Sequence, residues 1–204
     1  MDREGMWTLE RQAARRGHTR VCGCDEAGAG PLAGRVYAAA VILPLGLELP
    51  GLDDSKRVTP RRRQVLFDQI QAQATAWAVA WAEPEEIDGL DILNSRILAM
   101  NRAVEGLSPP ANFALIDGNR DHGSRCAIAL AHETVVGGDG RSASIAAASI
   151  LAKVSRDRYM EEMARRYPQY EFERHKGYPT RRHYELLRQY GPCPIHRRSF
   201  LSKL

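Results

Sequence analysis

Apolar runs and helical stripes alternate along this chain. Val21 to Asp25 reads as a short strand that ends in charge. Val36 to Leu43 is apolar throughout, which predicts a strand buried on both faces. Thr59-Pro60 pairs an N-capping side chain with proline at the first helical position. Leu66, Phe67, Ile70 and Ala74 then form one helical face. Thr75 to Ala82 reads as a strand ended by Pro84. Asp91 caps a helix whose stripe is Leu93, Ile97, Met100, Val104 and Leu107, stopped by Gly106 and Pro109. Phe113 to Ile116 is a strand that carries Asp117 at its end, and Cys126 to Leu130 is the candidate for one more. The longest helical signal runs from Ser142 to Tyr167. Its first half is small or apolar all round, so it is expected to lie buried against a sheet. Its second half is amphipathic, with Glu161/Arg165 and Glu162/Arg166 at favourable spacing. A last helix is expected over Arg181 to Tyr190. Strands interleaved with helices imply an α/β sheet covered by helices.

The chain has 204 residues, 44% of them apolar and 26% charged, which suits one soluble domain over residues 1–204. Residues 1–19 read as a polar N-terminal extension without the apolar core of a signal peptide, so a cytoplasmic protein is expected. No apolar run is long enough to span a bilayer. Cys22, Cys24, Cys126 and Cys193 form no CxxC pair and are read as reduced thiols, with Cys22 and Cys24 on one face of their strand. Net charge is +4, concentrated in Arg61-Arg62-Arg63, His175-Lys176, Arg181-Arg182-His183 and His196-Arg197-Arg198. A basic surface around an acidic hole suits a polyanion whose phosphate must reach a cation.

The chemistry gathers where strands end. Asp25-Glu26 closes the first apolar run and a glycine-rich turn, Gly28-Ala29-Gly30, follows at once. Asp117 precedes Gly118-Asn119, and Asp139 lies in Gly137-Gly138-Asp139-Gly140 just before the long helix. Any one Asp-Gly is ordinarily a turn or a cap, and Asp139 by itself suits the positive end of a helix. Repeated placement beside strand ends and glycine-rich backbone points instead to one shared site. Carboxylates brought together without cations repel, and divalent cations remove that cost. An oxygen-only set suits Mg²⁺ or Mn²⁺ rather than zinc. Residue chemistry alone therefore reaches metal-dependent phosphoryl transfer or hydrolysis, without identifying the nucleic acid.

In order along the chain, Asp25-Glu26-Ala27-Gly28, Asp53-Asp54-Ser55-Lys56, Ile116-Asp117-Gly118, Gly138-Asp139, Ser144 to Arg158, and His175-Lys176-Gly177-Tyr178 with Thr180 resemble the ribonuclease HII family. The resemblance covers about Val21 to Phe200. It implies a ribonuclease H-like fold with a central mixed five-stranded sheet flanked by helices. It also implies an endonuclease acting on RNA–DNA hybrids and on duplex DNA containing a ribonucleotide. The cut falls 5′ of the ribonucleotide and leaves 3′-hydroxyl and 5′-phosphate ends, with Mn²⁺ or Mg²⁺ as cofactor. By motif match, Asp25, Glu26, Asp117 and Asp139 are the catalytic metal-binding acids. Gly28, Ala29 and Gly30 match the loop that contacts the ribose 2′-OH. Tyr178 matches the tyrosine that packs on the sugar at the junction. Ser55 and Lys56 match residues near the phosphates, and residues 168–204 form a substrate-contacting segment. A monomer is the expected state.

One position departs from the family, which usually has arginine where this chain has Ala29. Losing that cation is expected to weaken phosphate affinity while leaving the backbone's preference for a 2′-OH. Two other readings follow: a hybrid-binding module with weakened turnover, and a DNA nuclease or transposase-like enzyme of similar fold. The glycine loop and Tyr178 argue against the last.

Overall fold

The protein is described here by a computed structural model that covers residues 5–53, 55 and 57–202. In chain order its regular elements are helix α1 (Thr8–Arg15), strands β1 (Val21–Ala27) and β2 (Val36–Ile42), helix α2 (Pro60–Gln73) and strand β3 (Ala76–Ala82). Helices α3 (Pro84–Leu90) and α4 (Ile92–Glu105), strands β4 (Phe113–Asp117) and β5 (His132–Val135), and helices α5 (Ala143–Arg166), α6 (Phe172–His175) and α7 (Arg181–Tyr190) complete the set. The sheet order is β3-β2-β1-β4-β5. β1–β2 and β2–β3 pair antiparallel, whereas β1–β4 and β4–β5 pair parallel, so the five-stranded sheet is mixed as expected.

Strand alternation assigns each face of the sheet a partner. Cys22 and Cys24 of β1 enter the cluster that contains Ile97 and Met100 of α4. Gly23, between them, turns the other way and meets α5. A Cβ on Gly23 would lie 2.1 Å from the Ser144 carbonyl carbon and 2.2 Å from the Ile145 nitrogen. The small-residue half of α5 thus lies backbone-on-backbone across β1. Its alanines and Ile150 share a cluster with Ala39 and Val41 of β2. The caps follow the sequence: Thr59, Asp91, Ser142 and Thr180 each accept an amide of the first turn of their helix. Among the described residues no helix is long and apolar enough to cross a membrane. The described cysteines are free thiols, and Cys22 and Cys24 are buried.

Two expectations need correction, and the N-terminal segment has a role that the sequence did not show. Cys126 to Leu130 is not a strand; Ala127 makes only an isolated bridge to His122, and the fifth strand begins at His132. That strand carries His132, Glu133 and Thr134 on the sheet edge, so it lacks the apolar run that marks a buried strand. The N-terminal extension, in its described part, packs on the core. Met6 and Trp7 are buried in the core, and the Glu10 carboxylate accepts Ser142 Oγ at 2.6 Å and the Ser144 amide at 3.0 Å. Glu10 thereby places negative charge at the N-terminus of α5. Glu161 pairs with Lys176 at 2.9 Å, tying α5 to the turn after α6 rather than to Arg165.

The contact at Gly23 gives a direct expectation. Gly23→Ala forces α5 off the sheet and is expected to cost about 3 kcal/mol in urea unfolding. Gly89→Ala, in α3 with open space around the added methyl, is expected to be neutral or to stabilise by about 0.5 kcal/mol. Equal stability of the two variants would contradict the close packing of α5 on β1.

Candidate active site

The carboxyl ends of β1 and β4 lie side by side, because Cys24 is opposite Ile116 in the parallel ladder. One residue further, Asp25 and Asp117 are neighbours, and both continue the face that Gly23 and Leu115 turn toward α5. Asp139 joins them through the turn before α5. Gly138 N donates to Asp117 Oδ1 at 2.7 Å. A Cβ on Gly138 would lie 2.5 Å from Ile145 Cδ1 and 3.1 Å from Asp117 Oδ1, so only glycine lets this turn sit so close. Glu26 points to the opposite face, where Arg96 of α4 bonds its Oε1 at 2.8 Å.

Electrostatics link the acids. Burial raises the Asp25 pKa well above the usual carboxylate range, and the charges of Glu26, Asp117 and Asp139 raise it further. The Glu26 amide, donating to Asp25 Oδ1 at 2.7 Å, opposes them. Glu26 is also raised: burial outweighs the Arg96 cation, and Asp117 adds to the rise. Among the described residues no three His, Cys, Asp or Glu side chains are arranged as a finished cation cage. The Arg96 bond explains part of this, since it holds Glu26 on the other face. The donors still suit a hard divalent cation. They are all oxygens, and Glu26 Oε2 is buried with no hydrogen-bond partner among the described residues. A divalent cation would remove the repulsion that raises Asp25.

Beside the acids lies the glycine turn. Gly28 has φ of 95°, a conformation that disfavours any side chain, and a Cβ there would lie 2.1 Å from Arg156 Nε. Gly30 is exposed, and a Cβ on it would be 3.9 Å from Tyr178 Cε1. Tyr178 is 40% exposed, with its ring 5.5 Å from the buried Arg156 guanidinium. Arg156 Nη2 donates to the Lys176 carbonyl at 2.9 Å, whereas its Nε and Nη1 have no hydrogen-bond partner among the described residues. Gly28, Gly30, Arg156 and Tyr178 thus lie together, at the turn that directly follows Asp25-Glu26 in the chain. Ser55 is buried in the β2–α2 connection; Asp54 and Lys56 fall outside the described residues.

Several basic positions are not the docking surface they resemble in sequence. His175, His183, His196 and Arg197 are buried. Arg182 pairs with Glu171 and Arg181 with Glu185. The histidines form a hydrogen-bonded chain whose proton positions follow from their partners. Cys193 N donates to His196 Nδ1 at 2.9 Å, so the His196 proton sits on Nε2. That N–H donates to His183 Nε2 at 3.0 Å, and His183 Nδ1 donates to the Tyr178 carbonyl at 3.0 Å. His175 stacks on His183 with centroids 4.3 Å apart. Burial lowers the pKa of His183 and of His196 to about 4, and it lowers that of His175 as well. Sequence reading missed Arg96, Arg156 and the histidine chain. Arg156 had a visible signal: it falls on the stripe of Ala152 and Met160, where an apolar residue is expected.

Two expectations follow. Asp25→Asn keeps an acceptor for the Glu26 amide and removes a charge whose folded pKa is raised. Above the ordinary carboxylate range that charge opposes folding, so without divalent cation the variant is expected to melt roughly 2–4 °C higher near pH 7. A lower melting temperature would contradict the crowding of the acids. The histidines titrate in the opposite sense. Their folded pKa values lie below that of an unfolded histidine, so between about pH 4 and 6.5 the unfolded chain binds more protons. Stability falls as pH drops through this window, by up to about 1.4 kcal/mol per pH unit for each histidine. Because Asp25 and Glu26 oppose this trend, the effect is read as the difference between wild type and His196→Gln in urea unfolding from pH 7 to 5. Parallel profiles would contradict it.

The sequence profile of the ribonuclease HII family matches residues 22–203. Ribonuclease HII of Desulfitobacterium hafniense is 51% identical over 197 residues, covering 97% of this chain and 74% of that protein. The ribonuclease H2 of Pyrococcus horikoshii OT3 superposes with a TM-score of 0.73 at 25% identity, over 89% of this chain and 93% of that one. Bst-RNase HIII in complex with Mn²⁺ shares the fold, with a TM-score of 0.61 at 19% identity over 84% of this chain and 63% of that one. The mixed sheet with its flanking helices is accordingly a ribonuclease H-like fold, and this chain belongs to the ribonuclease HII family of ribonuclease H-type endonucleases.

Proposed function

We propose that the protein hydrolyses the RNA strand of RNA–DNA hybrids and cuts 5′ of single ribonucleotides embedded in duplex DNA, leaving 3′-hydroxyl and 5′-phosphate ends. Asp25, Glu26, Asp117 and Asp139 hold Mn²⁺ or Mg²⁺ in this reading, and the neighbour with bound Mn²⁺ supports that choice of ion. The observation that carries the proposal is the adjacency of Asp25 and Asp117 at parallel strand ends, next to a turn that meets Tyr178.

The residues divide the work. When bound, the cations supply charge stabilisation at the phosphoryl oxygens and lower the pKa of water. Asp25 and Asp117 fix where the scissile phosphate must lie. The backbone of Gly28, Ala29 and Gly30 approaches the sugar closely and reads the 2′-OH, the group that separates RNA from DNA. The half-exposed Tyr178 ring packs against the sugar of the next nucleotide. Arg96 holds Glu26 on the face of the sheet opposite Asp25 and Asp117. Ala29 does not argue for lost turnover, since the turn uses the carbonyl of residue 29 and its side chain anchors nothing.

The test is cleavage of a duplex carrying one ribonucleotide, with an all-DNA duplex and EDTA as controls. A single cut 5′ of the ribonucleotide with Mn²⁺ or Mg²⁺, and an intact all-DNA duplex, is the expected result. No cutting with either ion, or equal cutting of both duplexes, would overturn the proposal.

A further inference from the structure

Arg197 is fully buried, 168 positions along the chain from Ala29, yet its guanidinium sits directly beneath the glycine turn. Its Nη2 donates to the Gly28 carbonyl at 2.6 Å. Nη1 donates to the carbonyls of Ala29 at 2.9 Å and Pro31 at 2.8 Å, and Nε donates to that of Gly34 at 2.8 Å. The main chain follows the same line. Arg197 N donates to the Leu32 carbonyl at 2.8 Å, and Gly34 N donates to the Ile195 carbonyl at 2.8 Å. Five carbonyls of one short turn are therefore drawn to a single C-terminal residue.

A trans peptide is planar, with its N–H opposed to its C=O. Pulling the carbonyls of Gly28 and Ala29 down onto Arg197 therefore turns the amides of Ala29 and Gly30 up, to the side where Gly30 is exposed and the Tyr178 ring stands. Neither amide donates to another group among the described residues. Two adjacent N–H groups facing outward make a concave donor site for an oxygen ligand.

We infer that Arg197 is a positioning residue for ribose recognition: by collecting the carbonyls of the Gly28–Gly34 turn it aims the Ala29 and Gly30 amides at the 2′-OH and the adjoining phosphate oxygen. This rests on the ribonuclease reading above. A lysine cannot replace it fully. Its ammonium has three donors at one point, whereas the planar guanidinium spreads five over a fork that reaches carbonyls on both sides of the turn. Burial and the neighbouring Arg156 cation push the Arg197 pKa down to about 9, so the charge persists at neutral pH. The underside of the turn is thus cationic.

The test uses Arg197→Lys and Arg197→Met beside wild type, with two readouts. Amide hydrogen exchange by NMR needs no turnover. It is expected to speed at least tenfold at Leu32 and Gly34, whose amides bond the Gly177 and Ile195 carbonyls, in both variants, more in Met than in Lys, with α5 and β1 unchanged. Steady-state cleavage of a single-ribonucleotide duplex is expected to lose about 100-fold in kcat/KM in the Met variant, the scale for a misplaced contact, with partial rescue by Lys. Mn²⁺ affinity, read from thermal shift, is expected to stay within twofold of wild type. Unchanged exchange in the turn overturns the proposal, as does faster exchange spread through α5, global unfolding of both variants, or full kcat/KM despite a loosened turn. If wild type fails to cut while exchange behaves as expected, the ribonuclease reading falls and the positioning of the turn stands.

Discussion

Repulsion between carboxylates at the carboxyl ends of β1 and β4 is the constraint around which this molecule is arranged. Asp25 is buried beside Asp117, with Asp139 close by, and burial together with these charges raises its pKa. Arg96 pairs with Glu26, on the opposite side of the sheet. Such an arrangement opposes folding, so the surrounding structure has to over-determine it. It does so through α5, seated on the backbone of β1 at Gly23, and through Glu10 and Ser142, which fix the start of that helix. The acids stay crowded because the elements carrying them cannot separate without losing the core.

Opposite charge collects on the far side of the glycine turn. Arg156 and Arg197 are both buried there, and between them they bond backbone carbonyls of the turn and of Lys176. Leu32 N donates to the Gly177 carbonyl at 2.8 Å, and the histidine chain holds the Tyr178 carbonyl from behind. The turn, the Tyr178 segment and the C-terminal stretch from Cys193 to Arg197 are consequently one unit, although they are distant in sequence. In the proposed reading, a substrate passing over this unit would meet the amides of the turn and the Tyr178 ring, and its phosphate would meet the acids.

The sequence showed the sheet where its chemistry is plain. β2 is apolar throughout, Asp91 and Ser142 are recognisable caps, and α7 spans the residues expected of it. β5 escaped because an edge strand of His132, Glu133 and Thr134 carries neither alternation nor an apolar run. α1 escaped because its role is electrostatic: Glu10 acts on a helix terminus more than a hundred residues away, and no local pattern marks that. The acids were legible as strand-end carboxylates beside glycine. Their arrangement was not, since the opposite facing of Asp25 and Glu26 and the grip of Arg96 depend on packing. The basic clusters misled for the same reason. A histidine or arginine has one sequence signature whether it meets solvent or a buried carbonyl, and His183, His196 and Arg197 meet other protein groups.

The central claim is that these carboxylates form one cation site. A crystal structure of the protein soaked in Mn²⁺, with the ion located by anomalous scattering, tests it most directly. The account predicts manganese within roughly 2.1 Å of oxygens from Asp25 and Asp117, with Glu26 released from Arg96 toward it and Asp139 on its rim. Manganese bound elsewhere, or a site that leaves Asp117 outside its coordination sphere, would contradict it.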